Sequence, residues 1–396
     1  MLTVLLYIPV IILAWQQPAS KPIGLRSRTH LSAVVYGPCY WFEEPSETLR
    51  TPAPFGRAQQ GVLEQLEELN WQHRREDEQS PCFTFKYPGA PTFCVNHPDI
   101  LGLIRQIPPT WDDHVDDKLK MHLLLSASPT ASSKTMTPPT FVVNHDFLES
   151  LKDQTTADRP DGHWFLKHRL DAKRPRVHPY TTSAELHNRL RQMKETSWKY
   201  YIAQREIQPP MLLRGCKFVL RAHVLAAVKG NTLRLYLHSN PLVLEHKPLT
   251  NNEASNLSAL VLQNSTRSPA YLLSEALTPA LRTSILDQMG VTTAHVFQEL
   301  QHQHPLVRDH AAKLSNDDEE AVLYQLYGLD FMLNYAGQVF LLEVNRSPRI
   351  ATGAMGGVHG CYTELLMDAM QILGVIQDFN KPRGEFGTWK NIYQRP

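Results

Sequence analysis

The sequence predicts an α+β fold in which mixed and antiparallel sheets are flanked by helices. Two observations support this. Strand-like runs occur in adjacent pairs joined by short turns, as where Lys229–Asn231 separates residues 216–228 from residues 232–238. Segments with apolar residues at helical spacing, such as residues 184–195, lie between these pairs. Hairpins between neighbouring strands indicate antiparallel pairing, which a doubly wound parallel sheet would lack.

Composition places few limits on function. The chain has 396 residues, of which 42% are hydrophobic and 20% charged, so we expect two or three globular domains. A net charge of +1 gives no argument for nucleic acid as a partner. The five cysteines show no zinc-site spacing, which fits a reduced intracellular compartment. The expected divisions are an N-terminal domain at 1–98, a central domain at 99–197, a C-terminal domain at 198–380 and a tail at 381–396.

The first fifteen residues are almost wholly apolar. Their length suits the core of a signal peptide and is short for a membrane span. Against a signal, no basic residue precedes them, and the small-residue cleavage pattern after them is poor. A buried strand is the alternative. We expect a cytoplasmic protein, with membrane association limited to residues 1–15 and a secretory or anchoring role for them left open.

Periodicity and turn signals predict the remaining elements in order. An amphipathic helix is expected at 62–69, and a cap at Asn144 or Asp146 opens another that runs to about Lys152. Further helices are expected at 116–125, 184–195, 277–289, 293–302 and 362–373. Strands are expected at 141–143, 163–166, 216–228, 232–238, 322–333 and 338–345.

Three oxygen-bearing side chains lie on the last strand pair. Glu343 and Asn345 are two residues apart, so both leave the same face of a strand. With a turn near Ala336–Gly337, Asp330 lies within cross-strand reach of Glu343. Burying two carboxylates together is costly without a cation, and Mg²⁺ prefers oxygen ligands. The alternative is a surface hairpin whose polar residues face water.

Residues 167–176 form a dense basic run that would suit phosphates, an acidic polypeptide or simply a solvated loop. Around this run and the hairpin, four segments in order resemble the tubulin–tyrosine ligase-like family. The hairpin, Leu326–Leu333 with Phe340–Pro348, resembles that family's metal-binding hairpin. The other three segments precede it in the chain: Pro138–Val143, Trp164–Lys167 and Pro209–Arg221.

The resemblance implies an ATP-grasp fold that clamps ATP and Mg²⁺ between the central and C-terminal domains. It also implies a ligase that joins an amino acid, such as tyrosine or glutamate, to a tubulin tail through an acylphosphate, in the cytoplasm or at the cytoskeleton or cilium. Four cations would contact phosphates, with the last two also serving catalysis: Lys167, Lys120, Lys217 and Arg221. Three residues would hold the metal: Asp330, Glu343 and Asn345.

The chain also departs from the family pattern. Residues 168–176 contain no glycine where the family has a glycine-rich loop, and Val219 stands where an aspartate is usual. Leu244 and Glu245 stand where an arginine for the acceptor is expected. Besides an active tubulin ligase, the sequence therefore permits a nucleotide-binding pseudoenzyme or scaffold, or an ATP-grasp ligase with a non-tubulin acceptor. The sequence does not determine the oligomeric state.

Overall fold

The computed structural model describes residues 39–42, 65, 67–68, 72–73, 83–86, 92–95, 104–107, 109–130, 135–155, 163–170, 177–229, 232–245, 270–306, 322–346, 348, 359–373 and 388–395. These all belong to one compact unit, Pro38–Pro396. The expectations for residues 1–15 and for the basic stretch 171–176 lie outside the described residues. Of the helix expected at 62–69, Gln65, Glu67 and Glu68 are described and helical.

The described chain contains strands and helices in mixed order. The strands are β1 (Cys39–Phe42), β2 (Gln72–His73), β3 (Phe83–Lys86), β4 (Thr92–Val95), β5 (Ile104–Gln106), β6 (Thr140–Val142), β7 (Trp164–His168), β8 (Val177–Tyr180), β9 (Tyr201–Arg205), β10 (Phe218–Lys229), β11 (Thr232–His238), β12 (Leu242–Glu245), β13 (Ala270–Leu272), β14 (Val322–Leu333), β15 (Val339–Asn345) and β16 (Trp389–Arg395). The helices are α1 (Pro109–Asp116), α2 (Lys118–Ser126), α3 (His145–Thr155), α4 (Ser183–Gln192), α5 (Glu195–Trp198), α6 (Leu273–Ala276), α7 (Pro279–Gln303) and α8 (His359–Ile372).

The strands form three sheets. The first has the order β2-β1-β3-β4, and the second is antiparallel with the order β6-β9-β7-β8. The third and largest is centred on the antiparallel pair of long strands β10 and β14. β11 and β12 pair with the other edge of β10, while β5 and β15 pair with the other edge of β14. This mixed, largely antiparallel arrangement with helices confirms the α+β prediction.

The large sheet and the second sheet each have their own core. Alternate residues of β10 and β14, including Leu220 and Leu329, pack with α1, α2 and α7. In the second sheet, Trp164 and Leu166 of β7 are fully buried against α3 and α4. Because side chains alternate along a strand, Lys167 leaves the opposite face of β7. Because one face of each sheet is occupied by its core, only side chains on the other face, such as Lys167, are available for a site.

Two expectations about the C-terminal half were wrong. The segment expected to form separate helices at 277–289 and 293–302 is one helix, α7. A Cβ on Gly290 would lie 3.3 Å from Ile392 of β16, so this glycine allows close packing and does not end the helix. Residues 389–395, expected to be part of a tail, form β16 and pair with β11.

No helix in the described ranges is long and apolar enough to cross a membrane.

The junction of α1 and α2 divides what we expected to be one helix at 116–125. α1 ends at Asp116, and the Asp117 carboxylate begins α2 by accepting the backbone N–H groups of Leu119 (2.9 Å) and Lys120 (3.3 Å). Asn144 caps α3 as predicted, because its Oδ1 accepts the Phe147 N–H at 2.8 Å. The Asp117 cap is important because it fixes the direction in which the next residue, Lys118, points.

Asp112 links this junction to the centre of the large sheet. The Tyr327 hydroxyl of β14 donates a hydrogen bond to the Asp112 carboxylate, and both residues are buried. Burial raises the pKa of Asp112 from 3.8 to about 7, although the hydrogen bond from Tyr327 acts in the opposite direction. The folded protein therefore favours the protonated carboxyl group.

Asp112→Asn should reduce the loss of stability that accompanies a rise in pH. The stabilisation from protonated Asp112 is fully present below about pH 4 and is lost as the pH rises through about 7, whereas Asn keeps a hydrogen-bond acceptor and cannot ionise. Between pH 4.5 and 7.5, the unfolding free energy of the wild type should fall by about 2–4 kcal/mol more than that of the variant. Urea unfolding at both pH values measures this, and equal pH dependence in the two proteins would contradict it.

Candidate functional site

Three neighbouring strands place Arg221, Asp330 and Glu343 in one row. Asp330 of β14 lies directly opposite Arg221 of β10 and also opposite Glu343 of β15. Residues directly opposite each other project from the same face of a sheet. That face is opposite the one that packs on α7, where Leu220, Leu329 and Leu341 are buried. The predicted approach of Asp330 and Glu343 is therefore present in the structure.

A β-bulge brings Glu343 onto this face. From the turn, the register pairs Leu333 with Val339 and Phe331 with Leu341, and it then shifts so that Asp330 pairs with Glu343. Without this shift in register, Asp330 would lie opposite Leu342, and Glu343 would lie opposite Leu329 and point into the core. The core residues of β15 change accordingly from Val339 and Leu341 to Val344. The bulge thus directs both Glu343 and Asn345 towards Asp330.

Three cations from three elements surround the two carboxylates. Arg221 forms a bidentate ion pair with Asp330, with Nε–Oδ1 and Nη2–Oδ2 distances of 2.8 Å each. Lys118 Nζ of α2 lies 3.0 Å from Glu343 Oε2. Lys167 projects from β7 of the second sheet, and its Nζ donates a 2.6 Å hydrogen bond to Gln204 of β9. Lys167 also interacts electrostatically with Glu343 and Asp330, so a cation from the second sheet acts on the carboxylates of the large sheet.

The pKa values show how strongly these groups interact. Burial raises the pKa of Asp330, against the opposing effect of Arg221. Burial would also raise the pKa of Glu343, but Lys118, followed by Lys167 and Arg221, outweighs it and lowers that pKa to about 2. Burial lowers the pKa of Lys167 to about 8, while Glu343 acts to raise it. Each ionised group therefore depends on its oppositely charged neighbours.

Ion pairs at the α1–α2 junction hold Lys118 and Lys167 in place. Next to Lys118, the Asp117 carboxylate accepts hydrogen bonds from Nε (2.8 Å) and Nη2 of Arg169, which directly follows β7. The backbone N–H of Lys118 also donates to the Arg169 carbonyl at 3.1 Å. Arg346, which follows β15, pairs with Asp113 at 3.2 Å and, through its backbone N–H, with Asp116 at 3.3 Å. The junction therefore connects the second sheet with the end of the hairpin.

The structure does not bring two of the predicted phosphate cations to this cluster. Lys120 and Lys118 are two residues apart on α2, so they project about 200° apart around the helix, and Lys118 is the one that reaches Glu343. Lys217, which directly precedes β10, forms a buried ion pair with Glu206. The spacing of residues in the sequence does not distinguish Lys118 from the other lysine of α2. The usable signal was Asp117, whose capping role fixes which lysine of the helix points inward.

The acceptor side differs from the family pattern in structure as well as in sequence. Val219 and Leu244 lie directly opposite each other on β10 and β12 and are both buried. Glu245 pairs with Phe218, so it projects from the face opposite Arg221, where it accepts a hydrogen bond from the Tyr271 hydroxyl. An apolar pair thus occupies the position on the site face where charged residues were expected.

The donor set fits Mg²⁺. Within the described residues, no group of three or more His, Cys, Asp and Glu side chains is arranged to hold a metal ion, so a site here would need an amide oxygen in addition to the two carboxylates. Asn345 would supply that oxygen through Oδ1, and its amide lies beside Glu343, because its Nδ2 donates to Glu343 Oε1 at 3.4 Å. Two carboxylates and an amide form an oxygen-only set that leaves positions for phosphate oxygens and water. In this structure, Arg221 and Lys118 balance the charge of the carboxylates.

Comparisons with known proteins agree with this geometry. The model of the tubulin-tyrosine ligase family matches residues 96–245 and 286–379, which is more than half of the chain. The chain is similar to the protein polyglycylase TTLL10 of Macaca fascicularis, with 27% identity over 163 residues that cover 38% of this chain and 26% of the relative. It is also similar to the tubulin polyglutamylase ttll-4 of Caenorhabditis briggsae, with 24% identity over 192 residues that cover 44% of this chain and 31% of the relative.

Each curated relative is thus matched over less than a third of its own length. The family match is broader within this chain, because it includes the strands that carry Lys167, Arg221, Asp330 and Glu343. From the family match and the arrangement of its sheets, the chain belongs to the tubulin-tyrosine ligase family and has the α+β, ATP-grasp-like fold of that family.

Proposed function

We propose that this protein is an ATP-dependent ligase that forms an amide bond through an acylphosphate. The observation that supports this most directly is the cluster in which Lys118, Lys167 and Arg221 face the carboxylates of Asp330 and Glu343. Phosphoryl transfer depends chiefly on positioning and on neutralising negative charge. A site where three cations meet an oxygen-only donor set supplies both. In this proposal, the clamp that holds the nucleotide corresponds to the central (99–197) and C-terminal (198–380) divisions.

In this proposal, the cationic side chains would contact the phosphates, and the oxygen-bearing side chains would hold the metal ion. Lys167 and Lys118 would hold oxygens of the triphosphate, and Arg221 would contact the phosphoryl group that is transferred. Asp330, Glu343 and Asn345 would hold Mg²⁺, which would neutralise part of the charge that develops on the phosphates. Arg221 and Lys118 now pair with these carboxylates, so binding exchanges one set of opposite charges for another. Such an exchange avoids leaving any charge buried and unpaired.

The proposed reaction has two steps. A substrate carboxylate attacks the terminal phosphorus of ATP, the bond from that phosphorus to the bridging oxygen breaks, and ADP leaves. An amine then attacks the acyl carbon of the acylphosphate, inorganic phosphate leaves, and the nitrogen loses a proton as the amide forms. Arg221 and Lys118 remain protonated throughout and stabilise the negative oxygens.

We propose a protein tail, such as that of tubulin, as one substrate and an amino acid, tyrosine or glutamate, as the other. The names of the two relatives support this choice, since one is a protein polyglycylase and the other a tubulin polyglutamylase. A location in the cytoplasm at microtubules would follow from it. The buried pair Val219 and Leu244 favours a second candidate, a protein that binds nucleotide without transferring an amino acid, because the expected acceptor charges are replaced there.

Glu343→Gln should weaken Mg²⁺-dependent ATP binding by about tenfold or more, because it removes a charged oxygen ligand without changing side-chain size. Calorimetric titration with ATP, with and without Mg²⁺, measures this. Glu149→Gln is the matched control, since Glu149 is an exposed carboxylate on α3 that pairs with Lys152. It should bind like the wild type.

The same preparations should be assayed for transfer of labelled tyrosine or glutamate to tubulin, and for ADP release. Transfer that Glu343→Gln abolishes supports the ligase. Nucleotide binding without transfer to tubulin or to small amines supports the second candidate. A wild-type protein that does not bind Mg·ATP contradicts both.

Lys118→Met should weaken Mg·ATP binding roughly ten- to hundredfold, whereas Lys120→Met should change it less than about twofold. Methionine preserves the length of the side chain and suits a helix, so the pair isolates the charge at each position of α2. Fluorescence titration with a nucleotide analogue measures both affinities. A larger loss in Lys120→Met than in Lys118→Met would restore the sequence-based assignment and contradict the structural one.

A further inference from the structure

The segment that links the second sheet to the large sheet is closed by an ion pair. β9 ends at Arg205 and β10 begins at Phe218, so residues 206–217 connect the two sheets. Glu206 is the first residue of this linker and Lys217 is the last, and the Lys217 ammonium donates to Glu206 Oε1. Their side chains are 5% and 9% exposed, so this pair is almost fully removed from water.

The residue that precedes β7 also contacts the ion pair between Glu206 and Lys217. His163, the residue before β7, places Nδ1 at 2.5 Å from Glu206 Oε2. Gln208 Nε2 donates to the same oxygen at 3.0 Å. Both oxygens of one carboxylate are therefore bound, and the contacts connect the ends of β7, β9 and β10. We call Glu206, Lys217 and His163 the linker clasp.

The linker also rests on the tip of the β14–β15 hairpin. The Met211 N–H donates to the Leu333 carbonyl at 2.9 Å, and the Tyr335 N–H donates to the Pro209 carbonyl at 2.8 Å. The clasp therefore closes a segment that is already attached to the strand that carries Asp330. The linker thus connects the sheet that carries Lys167 with the strand that carries Asp330.

Lys217 has a different environment from the cations at the carboxylate cluster. It precedes Arg221 by four residues, about 13 Å along an extended strand. Arg221 and Lys118 contact Asp330 and Glu343, whereas the ammonium of Lys217 is bound to Glu206. Binding a phosphate would require Lys217 to leave a buried carboxylate, which would then lose its strongest partner.

We propose that Lys217 is a positioning residue that sets the spacing between the two sheets through the linker clasp and does not contact phosphate. The effect on nucleotide binding rests on the proposed function, whereas the clasp itself does not. Breaking a buried ion pair by removing one partner is costly because it leaves the other charge unpaired, while replacing both partners is tolerated far better. A phosphate ligand shows no such rescue, because its partner is the nucleotide.

The test is a double-variant cycle with Lys217→Met, Glu206→Gln and the two combined, with thermal unfolding and the Kd values for Mg·ATP and Mg·ADP as readouts. Lys217→Met should lower the Tm by roughly 10 °C, and the double variant should regain most of this loss. Mg·ATP affinity should fall at least about fivefold in Lys217→Met and return to within about threefold in the double variant. The ratio of the two Kd values should stay constant, because no contact to the terminal phosphate is removed.

Two further variants sharpen the result. Lys217→Arg keeps the charge and should bind like the wild type. Lys390→Met removes an exposed partner of Asp287 and should shift the Tm by less than about 2 °C, so it controls for loss of any lysine charge. A Lys217→Met protein that fails to fold while the double variant folds shows the same coupling in stronger form.

Several outcomes would overturn the clasp. One is that the changes in Tm of the two single variants are additive, and another is that the double variant fails to fold. A third is that the double variant binds Mg·ATP as weakly as Lys217→Met does and no longer binds Mg·ATP more tightly than Mg·ADP. If the wild type does not bind Mg·ATP, the proposed function fails, and the coupling in Tm still decides whether the clasp exists.

Discussion

The side-by-side placement of buried Asp330 and partly buried Glu343 is the constraint on which the site depends. Two ionised carboxylates in cross-strand contact repel each other, and removing them from water makes the repulsion stronger. The chain offsets this with cations from β10, α2 and β7, which are distant in sequence. The positions of a helix and of a second sheet are therefore tied to the charge balance of one hairpin.

The α1–α2 junction shows how that constraint extends through the fold. Asp112 contacts Tyr327 in the centre of the large sheet, Asp113 and Asp116 hold Arg346, and Asp117 holds Arg169. An acidic stretch of this kind reads as a solvated helix surface when the sequence is considered alone. In the structure, these four carboxylates are bound to three different parts of the molecule. Such multiply connected ion pairs contribute more to specificity of arrangement than isolated surface pairs do.

Local patterns predicted the hairpin, and long-range contacts determined the rest. Strands β11 and β14 have the predicted bounds because alternation and turn residues are encoded within a few positions. The bulge at Leu342 cannot be predicted from alternation, because no residue type marks it. It changes the face of the sheet from which the following residues of β15 project. Lys118 and Lys217 depended on partners, Glu343 and Glu206, that spacing along the chain does not reveal. The two helices expected at 277–289 and 293–302 are the single helix α7, in which Gly290 allows the close approach of Ile392 from β16, a contact that is distant in sequence.

The pairing of Lys118 with Glu343 has a consequence for how the protein matures. Many small metal-binding domains fold only with their ion, because the free energy of metal binding drives their folding. Here the counter-charges are supplied by the polypeptide itself, so the hairpin can form during synthesis without regard to ion supply. In the proposed function, folding of the hairpin and binding of Mg²⁺ and nucleotide would therefore be separate events.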